Sequence, residues 1–192
     1  LMGFEASDQG KPVMTQVARC MNENVYPNER AIHEWSEASP DPHAEAPMMQ
    51  EIRAKAKALG LWNLFLPDAE YGAGLSNLDY SPLCEVMGRS PYGARVFNCQ
   101  APDTGNAEIL AEFGSPEQKK QWLVPLLEGE IRSCFSMTEP EVSGADPTGL
   151  RTRVRREGDE YVIDGHKWFT SGAMNAAFAI VMAVKDPDAP MH

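Results

Sequence analysis

The fold of this chain is indicated most clearly by residues 158–172, which read GDEYVIDGHKWFTSG. Within this stretch, Asp164-Gly165 lies between the apolar run Tyr161–Ile163 and the mixed run Lys167–Thr170. Asp-Gly between two such runs favours a two-residue β-turn, because both residues tolerate the positive φ angles that the turn requires. The sequence therefore predicts a β-hairpin with its turn at Asp164-Gly165.

Further strand patterns surround this hairpin. Each is a short run of apolar or alternating residues bounded by turn-forming residues. We expect residues 130–192 to form an antiparallel β domain that is incomplete. The predicted strands outside the hairpin turn are Ile131–Thr138, Leu150–Val154 and Glu160–Ile163, the last two joined by Glu157-Gly158-Asp159, and a final strand at Phe178–Val184.

The first 129 residues have a different pattern, with apolar residues recurring at spacings of three and four, as in amphipathic helices. Because helices come first and strands follow without alternation, the predicted class is α+β, with an all-helical domain at 1–129 and the β domain at 130–192. The predicted helices are Gly10 to about Glu37 with a kink or interruption at Pro27, Met48–Leu59, Asn77–Arg89, one after Pro102 that stops at Gly114, and one from Ser115.

Two features of the helical region make specific predictions. Ser115, followed by Pro116 and by Gln118 three residues on, has the arrangement of a capping box at a helix start. The apolar spacing also predicts which side chains face the core. These are Leu78, Leu83, Val86 and Met87 in the third helix, and Ile109, Leu110 and Phe113 in the fourth.

Composition excludes some classes of function. The 192 residues carry a formal net charge of −11, which disfavours binding to nucleic acid or to anionic membranes. No apolar run is long enough to span a membrane, and we expect no signal peptide before the first helix. Four scattered cysteines without a C-x-x-C pair favour a reducing compartment. The chain begins at Leu1 and stops just after a strand pattern, so we expect a piece of a longer protein.

Two motifs could suggest ligands but are better explained structurally. Gly72-x-Gly74 lacks the third glycine and the strand that a dinucleotide-binding loop requires, so we interpret it as a turn. Asp41, His43 and Glu45 alternate in a Pro-rich segment without a strand or helix to fix ligand geometry. We interpret that segment as a solvated acidic loop and predict no metal site.

The informative chemistry lies where two predicted strands end. Phe135-Ser136-Met137-Thr138 precedes Glu139-Pro140, and about thirty residues later Lys167 is followed by Trp168-Phe169-Thr170. Hydroxyls, backbone donors and an indole together suit a planar heteroaromatic ligand that needs stacking and hydrogen bonds at its rim. The alternative is that Trp168 simply packs in the core.

At these residues the sequence resembles the acyl-CoA dehydrogenase family. The resemblance extends from about residue 10 to the end of the chain. It rests on several motifs in order: Leu66-Pro67-x-x-x-Tyr71-Gly72-x-Gly74, Phe113-Gly114-Ser115-x-Glu117-Gln118-Lys119, Trp122-Leu123-x-Pro125-Leu126, Thr138-Glu139-Pro140 with Asp146, and residues 158–172.

The resemblance implies a fold and a cofactor. Family members have an amino-terminal helical domain, a middle β domain and a carboxy-terminal helical bundle, so the third part is expected to be absent here. FAD is expected as the cofactor. By resemblance, Thr138 and the neighbouring backbone of Phe135, Ser136 and Met137 hydrogen-bond the pyrimidine side of the flavin, Trp168 and Phe169 lie at the ring system, and Thr170 reaches the N5 region.

The resemblance also implies the reaction, α,β-dehydrogenation of an acyl-CoA thioester with hydride transfer to flavin N5. Where the family commonly has Ser before the loop Asp, this chain has Ala145, so Ser143 and Gly144 are the expected substrate contacts. The glutamate base of the family comes from the carboxy-terminal bundle. We therefore expect no catalytic residue within this chain and no activity from it alone, and Glu139 is assigned to the turn motif.

Alternatives remain open at this point. A flavin-dependent oxidase or monooxygenase on the same fold would react with oxygen, and a non-catalytic module would keep the fold without the chemistry. The resemblance implies acyl-CoA as substrate, electron-transfer flavoprotein as a partner, and assembly as a homodimer or homotetramer. The expected location is the cytoplasm of a bacterium, or the mitochondrial matrix if the source is a eukaryote.

Overall fold

The computed structural model describes residues 6–189 and divides into two compact units, with the division between Gly129 and Glu130. The first unit contains helices and the second contains strands, which confirms the predicted α+β order. Within residues 6–189, no helix combines the length and the apolar character needed to cross a membrane.

The helical unit contains eight α-helices within its described residues. Two π-helical turns, Met21–Val25 and Lys119–Leu123, and a 3-10 turn at Tyr26–Asn28 connect some of them. The α-helices are α1 (Gly10–Cys20), α2 (Glu29–Ala38), α3 (Pro47–Ala58), α4 (Asn77–Met87), α5 (Gly93–Val96), α6 (Asp103–Phe113), α7 (Pro116–Gln118) and α8 (Val124–Glu128).

Local sequence signals explain several of these boundaries. The predicted interruption at Pro27 is confirmed, since Pro27 lies in the 3-10 turn between α1 and α2. The capping box is also confirmed: the Ser115 hydroxyl accepts a hydrogen bond from the Gln118 amide, and the Gln118 side chain accepts one from the Ser115 amide. At the other end of this segment, Gly129 has φ +77°, a left-handed conformation that glycine adopts without strain after a helix.

The core of the helical unit is mainly apolar. Phe97, Met21 and Leu83 are inaccessible to solvent, and the predicted burial of Met87 is confirmed. A buried amide network supports the end of α8. The Asn98 side chain donates to Asn63 Oδ1 at 2.7 Å, and the Asn63 side chain donates to the carbonyl of Leu127 at 3.0 Å.

The predicted buried faces of α4 and α6 are partly wrong. Leu78 is 49% exposed, Ile109 is 38% exposed and Phe113 is 74% exposed. In α6 the buried residues are Asp103, Asn106 and Ala107, which follow the helical spacing of three and four. Because that stripe faces inward, Ile109 and Phe113 fall outside it although they are apolar.

The segment interpreted as a solvated acidic loop is only partly solvated. Asp41 and His43 are exposed, but the Glu45 carboxylate forms ion pairs with Arg53 at 3.0 Å and with Arg95 at 3.2 Å. The Glu45 side chain is only 15% exposed because the two guanidinium groups cover it. No group of His, Cys, Asp and Glu able to hold a metal ion occurs among residues 6–189.

The strand unit contains two small sheets. Strand β2 (Arg153–Glu157) pairs with β3 (Glu160–Asp164) in an antiparallel hairpin. Its turn at Gly158-Asp159 confirms the predicted connection between these two strands. Strand β1 (Ser133–Ser136) pairs with β4 (Phe178–Val181) in the parallel direction. The antiparallel expectation is therefore wrong for this pair. The long connection, residues 137–177, lets the chain return to the starting end before β4 begins.

The hairpin predicted at Asp164-Gly165 is also wrong. Strand β3 ends at Asp164, neither residue has positive φ, and residues 165–172 form no strand. The backbone after β3 does not turn back along this strand, because the amide of Trp168 donates a hydrogen bond to the carbonyl of Thr138 at 2.8 Å. Gly165 is needed for close packing, since a Cβ there would lie 2.3 Å from Thr152 Oγ1.

Candidate functional site

The two segments singled out in the sequence meet in the strand unit. Beyond β1, the carbonyl of Thr138 accepts a hydrogen bond from the Trp168 amide at 2.8 Å. Two residues away on both segments, the Thr170 hydroxyl donates to Ser136 Oγ at 3.3 Å. These two bonds place Ser136, Thr138, Trp168, Phe169 and Thr170 in one group, which we call the strand-end cluster.

The aromatic side chains of this cluster face solvent. Trp168 is 47% exposed and Phe169 is 77% exposed, so Trp168 is not a core residue. Their ring centroids lie 5.2 Å apart at an interplanar angle of 39°. Phe169 has φ +52°, which is uncommon for a residue with a bulky side chain. Exposed aromatic rings on an unusual backbone are typical of a surface that receives a ligand or another protein surface.

Hydrogen-bonding capacity remains available beside these rings. Ser136 is buried, whereas Met137, Thr138 and Thr170 are half-buried. Within residues 6–189, neither the Thr138 hydroxyl nor the indole N–H of Trp168 makes a hydrogen bond. Polar groups of this kind at the edge of apolar rings can orient a planar ligand.

The expected substrate contacts lie in the loop that follows. Ser143 and Gly144 are exposed, and the Ser143 carbonyl accepts a hydrogen bond from the Asp146 amide at 3.2 Å. A Cβ added at Gly144 would lie 3.5 Å from Thr138 Oγ1, so this glycine comes close to the strand-end cluster. The structure therefore brings the Gly144 backbone next to Thr138.

Two charged residues beneath the cluster were not expected to contribute. Lys167 Nζ donates to the carbonyl of Met137 at 2.8 Å and to Glu139 Oε1 at 2.9 Å. Burial by itself raises the pKa of the Glu139 carboxyl, but hydrogen bonds from Thr152, Arg151 and Lys167 outweigh it and lower the pKa to about 2. Glu139 is thus a fixed anion. The available sequence signal was Lys167 itself, a cation directly before two aromatic residues.

The family is shown by comparison with known proteins. Residues 7–130 match the family description "Acyl-CoA dehydrogenase, N-terminal domain", and residues 134–192 match "Acyl-CoA dehydrogenase, middle domain". The chain belongs to the acyl-CoA dehydrogenase family. The predicted resemblance is confirmed, and the order of helical and strand units is that of the first two family domains.

Individual members of the acyl-CoA dehydrogenase family agree with this assignment. Acyl-CoA dehydrogenase family member 10 of Mus musculus is 48% identical over 184 residues, covering 92% of this chain and 17% of the mouse protein. A solved structure from Mycobacterium abscessus, assigned to the acyl-CoA dehydrogenases, has a TM-score of 0.88 and 44% identity, covering 96% of this chain and 48% of that one.

A third comparison names a cofactor. An acyl-CoA dehydrogenase of Bacillus anthracis, solved in complex with FAD, is 25% identical with a TM-score of 0.65, covering 93% of this chain and 30% of that one. The curated relatives of the acyl-CoA dehydrogenase family are longer than this chain, which spans from 17% to 47% of their length.

The strand-end cluster fits a flavin in its chemistry. An isoalloxazine ring has an extended π face and a rim of hydrogen-bond acceptors and donors. The exposed face of Trp168 can pack against such a ring, and the Thr138 hydroxyl has no competing partner within residues 6–189. The ligand-binding roles assigned to Phe135, Ser136, Met137, Thr138, Trp168, Phe169 and Thr170 stay predictions.

Proposed function

We propose that this chain forms part of an FAD-dependent acyl-CoA dehydrogenase, which introduces a double bond between Cα and Cβ of an acyl-CoA thioester. The observation that carries the proposal is the strand-end cluster, in which Thr138 and the exposed Trp168 are held side by side by a backbone hydrogen bond of 2.8 Å. Family membership supports the reaction class, and the FAD complex of the B. anthracis relative supports the cofactor.

Different residues of the cluster would contact different parts of the cofactor. Thr138 and the backbone of residues 135–137 would hydrogen-bond the pyrimidine side, Trp168 and Phe169 would cover the ring system, and Thr170 would lie at the N5 edge. When bound, FAD supplies the acceptor for the hydride that leaves Cβ. The protein residues fix the orientation of the ring and exclude water from it.

Acyl-CoA would approach the same end of the strand unit. The exposed loop with Ser143 and Gly144 supports this proposal, because Gly144 comes close to Thr138. A backbone free of a side chain at Gly144 leaves room for a ligand beside the Thr138 hydroxyl. Ser143 can add a hydroxyl at the rim, since within residues 6–189 its side chain makes no hydrogen bond.

The base that removes the α-proton is not Glu139. A general base must accept a proton near neutral pH, whereas Glu139 is buried, receives three hydrogen bonds and has its pKa lowered to about 2. Glu141 is exposed and pairs with Arg151 at 2.8 Å. We infer that the base is provided by residues other than these two, and that this chain alone is inactive.

The test is flavin binding by the complete protein that contains this sequence. Replacing Trp168 with Ala should raise the Kd for FAD about tenfold, because the main aromatic contact is lost. The matched control is Tyr161→Ala, which removes a 62% exposed aromatic residue from the hairpin of the same unit. Two results would contradict the proposed function. One is that the purified complete protein contains no flavin. The other is that no acyl-CoA bleaches its flavin absorbance under anaerobic conditions.

Partners and location remain proposals. We propose electron-transfer flavoprotein as the electron acceptor and a homodimer or homotetramer as the assembly, on the basis of family membership alone. The location in a bacterial cytoplasm, or in a mitochondrial matrix if the source is a eukaryote, is supported by the four cysteines, all of which are free thiols.

A further inference from the structure

Lys167 is a half-buried cation with two partners in the strand unit. Its side chain is 13% exposed, and its ammonium group contacts the carbonyl of Met137 at 2.8 Å and Glu139 Oε1 at 2.9 Å. An ammonium group that is largely removed from solvent is costly to desolvate unless it is paired and hydrogen-bonded. Both partners of Lys167 lie on the segment that follows β1, so its position is fixed relative to that segment.

Glu139 extends the connection to a third segment. Its side chain is 4% exposed, and its carboxylate accepts hydrogen bonds from the amides of Arg151 at 2.7 Å and Thr152 at 2.9 Å. These amides lie just before β2. One ion pair therefore joins three stretches of backbone: the end of β1, the approach to β2, and the segment that carries Trp168.

The positions of these partners in the sequence give the ion pair a specific effect. Met137 and Glu139 flank Thr138, while Lys167 directly precedes Trp168. Three contacts thus hold the two segments together at neighbouring residues: Lys167 with Met137, Lys167 with Glu139, and the Trp168 amide with Thr138. These contacts connect the backbone on both sides of Thr138 to the backbone that carries Trp168.

We propose that Lys167 and Glu139 are positioning residues for FAD: without contacting the cofactor, their ion pair sets the spacing between Thr138 and Trp168. This inference rests on the proposed function. It predicts that this ion pair affects the affinity for FAD. Exposed ion pairs such as Arg155 with Glu157, whose side chains are more than half exposed, are expected to have no such effect.

The experiment compares FAD binding by apoprotein variants of the complete protein. Lys167→Met should raise the Kd for FAD about tenfold or more, because Glu139 and the Met137 carbonyl lose a charged donor and the two segments separate. Arg155→Met, which removes a cation from an exposed pair in the same unit, should leave the Kd unchanged. The circular dichroism of bound flavin at saturation should change in Lys167→Met alone.

A double-mutant cycle tests whether the two residues act as a unit. Glu139→Gln should raise the Kd in the unaltered protein but have a smaller effect in the Lys167→Met background. If Lys167→Met does not fold by far-ultraviolet circular dichroism, Lys167→Gln replaces it, because an amide can still donate to the Met137 carbonyl. The Kd of Lys167→Gln should still rise, by less than that expected for Lys167→Met.

The outcomes separate the two proposals. If the unaltered complete protein binds no FAD, the proposed function and this inference both fail. If it binds FAD and folded Lys167 variants bind with the same Kd and the same flavin circular dichroism, only the inference fails, and the pair merely stabilises the strand unit. Independent effects of the two substitutions would also overturn the inference.

Discussion

The helical unit and the strand unit are stabilised in different ways. Almost every buried apolar side chain among residues 6–189 lies in the helical unit, and only Cys134 and Leu150 belong to the strand unit. The helical unit also buries polar side chains, such as Asn63 and Asn98, but apolar ones greatly outnumber them there. In the strand unit the buried polar residues outnumber the buried apolar ones, and they are Ser133, Ser136, Glu139 and Thr152. Packing of apolar surface therefore stabilises the first unit, whereas directed hydrogen bonds and an ion pair have the larger share in the second.

Both units leave large apolar side chains on their surfaces, Leu59 and Phe113 in the helical unit among them. In the strand unit, however, the exposed rings adjoin the hydrogen-bonding groups of the strand-end cluster. Trp168, Phe169 and Met174 are exposed at 47%, 77% and 81%. Such groups gain free energy only when a cofactor, substrate or further protein surface covers them.

The largest effect is expected from a substitution that removes apolar packing from the helical unit. Phe97 is inaccessible to solvent, so Phe97→Ala should lower the free energy of unfolding of this unit by about 3–5 kcal/mol through lost burial and a cavity. Phe113→Ala is the matched control, because Phe113 is 74% exposed and its loss should change stability by less than about 0.5 kcal/mol. Denaturant titration measures both. Equal effects would mean that the apolar core does not dominate.

The second prediction concerns acid and the strand unit. The pKa of Glu139 is about 2 in the folded protein and 4.5 ordinarily, so the folded state favours the ionised form. Its contribution to stability is complete above about pH 4.5 and is lost as the pH falls towards 2. Protection of the Arg151 and Thr152 amides against hydrogen exchange should decrease over that range, as followed by NMR.

Glu139→Gln provides the control for this pH dependence. At neutral pH it should destabilise the strand unit by roughly 2 kcal/mol, because hydrogen bonds to a charged acceptor become bonds to a neutral one. In this variant the protection of the Arg151 and Thr152 amides should no longer vary between pH 4.5 and 2.

Acid affects the helical unit as well, since hydrogen bonds from Ser76 and Ser7 lower the pKa of Asp79. For this reason the measurement uses only the Arg151 and Thr152 amides, which contact Glu139 directly. If Glu139→Gln left the pH dependence of these two amides unchanged, the assignment to Glu139 would be wrong.

The smallest expected effect is on the capping box. Ser115→Ala removes the hydroxyl that accepts from the Gln118 amide and should cost about 1 kcal/mol in the helical unit. Ser115→Asn, which keeps a capping acceptor, should cost less. Thermal unfolding of the two variants side by side provides the measurement, and equal losses would show that the cap is not the reason for any change.

The sequence was most informative where structure depends on neighbouring residues. The capping box at Ser115, the interruption at Pro27 and the turn at Gly158-Asp159 were all predicted, because a few adjacent side chains determine each of them. The burial of Ile109 and Phe113 was predicted wrongly, since α6 turns the face with Asp103 and Asn106 inward, and that choice is set by packing against distant parts of the chain. Periodicity alone does not contain that information.

The candidate site shows the same division. Its two segments were identified from residue types and from the resemblance, and the structure brings Ser136 and Thr138 next to Thr170 and Trp168. The hairpin at Asp164-Gly165 was wrong because long-range bonds to residues 137 and 138 override the local turn signal. The ion pair of Lys167 with Glu139 was missed for a related reason, since 28 residues separate the partners.

The parallel pairing of β1 with β4 has a consequence for synthesis of the protein. Ser133 pairs with Phe178, and Ser136 pairs with Val181. This contact closes a long loop, which makes it slow to form compared with the local hairpin of β2 and β3. During translation the hairpin can form early, but the edge of β1 stays unpaired until β4 has left the ribosome. For that interval the nascent strand unit is open to wrong pairing with other chains.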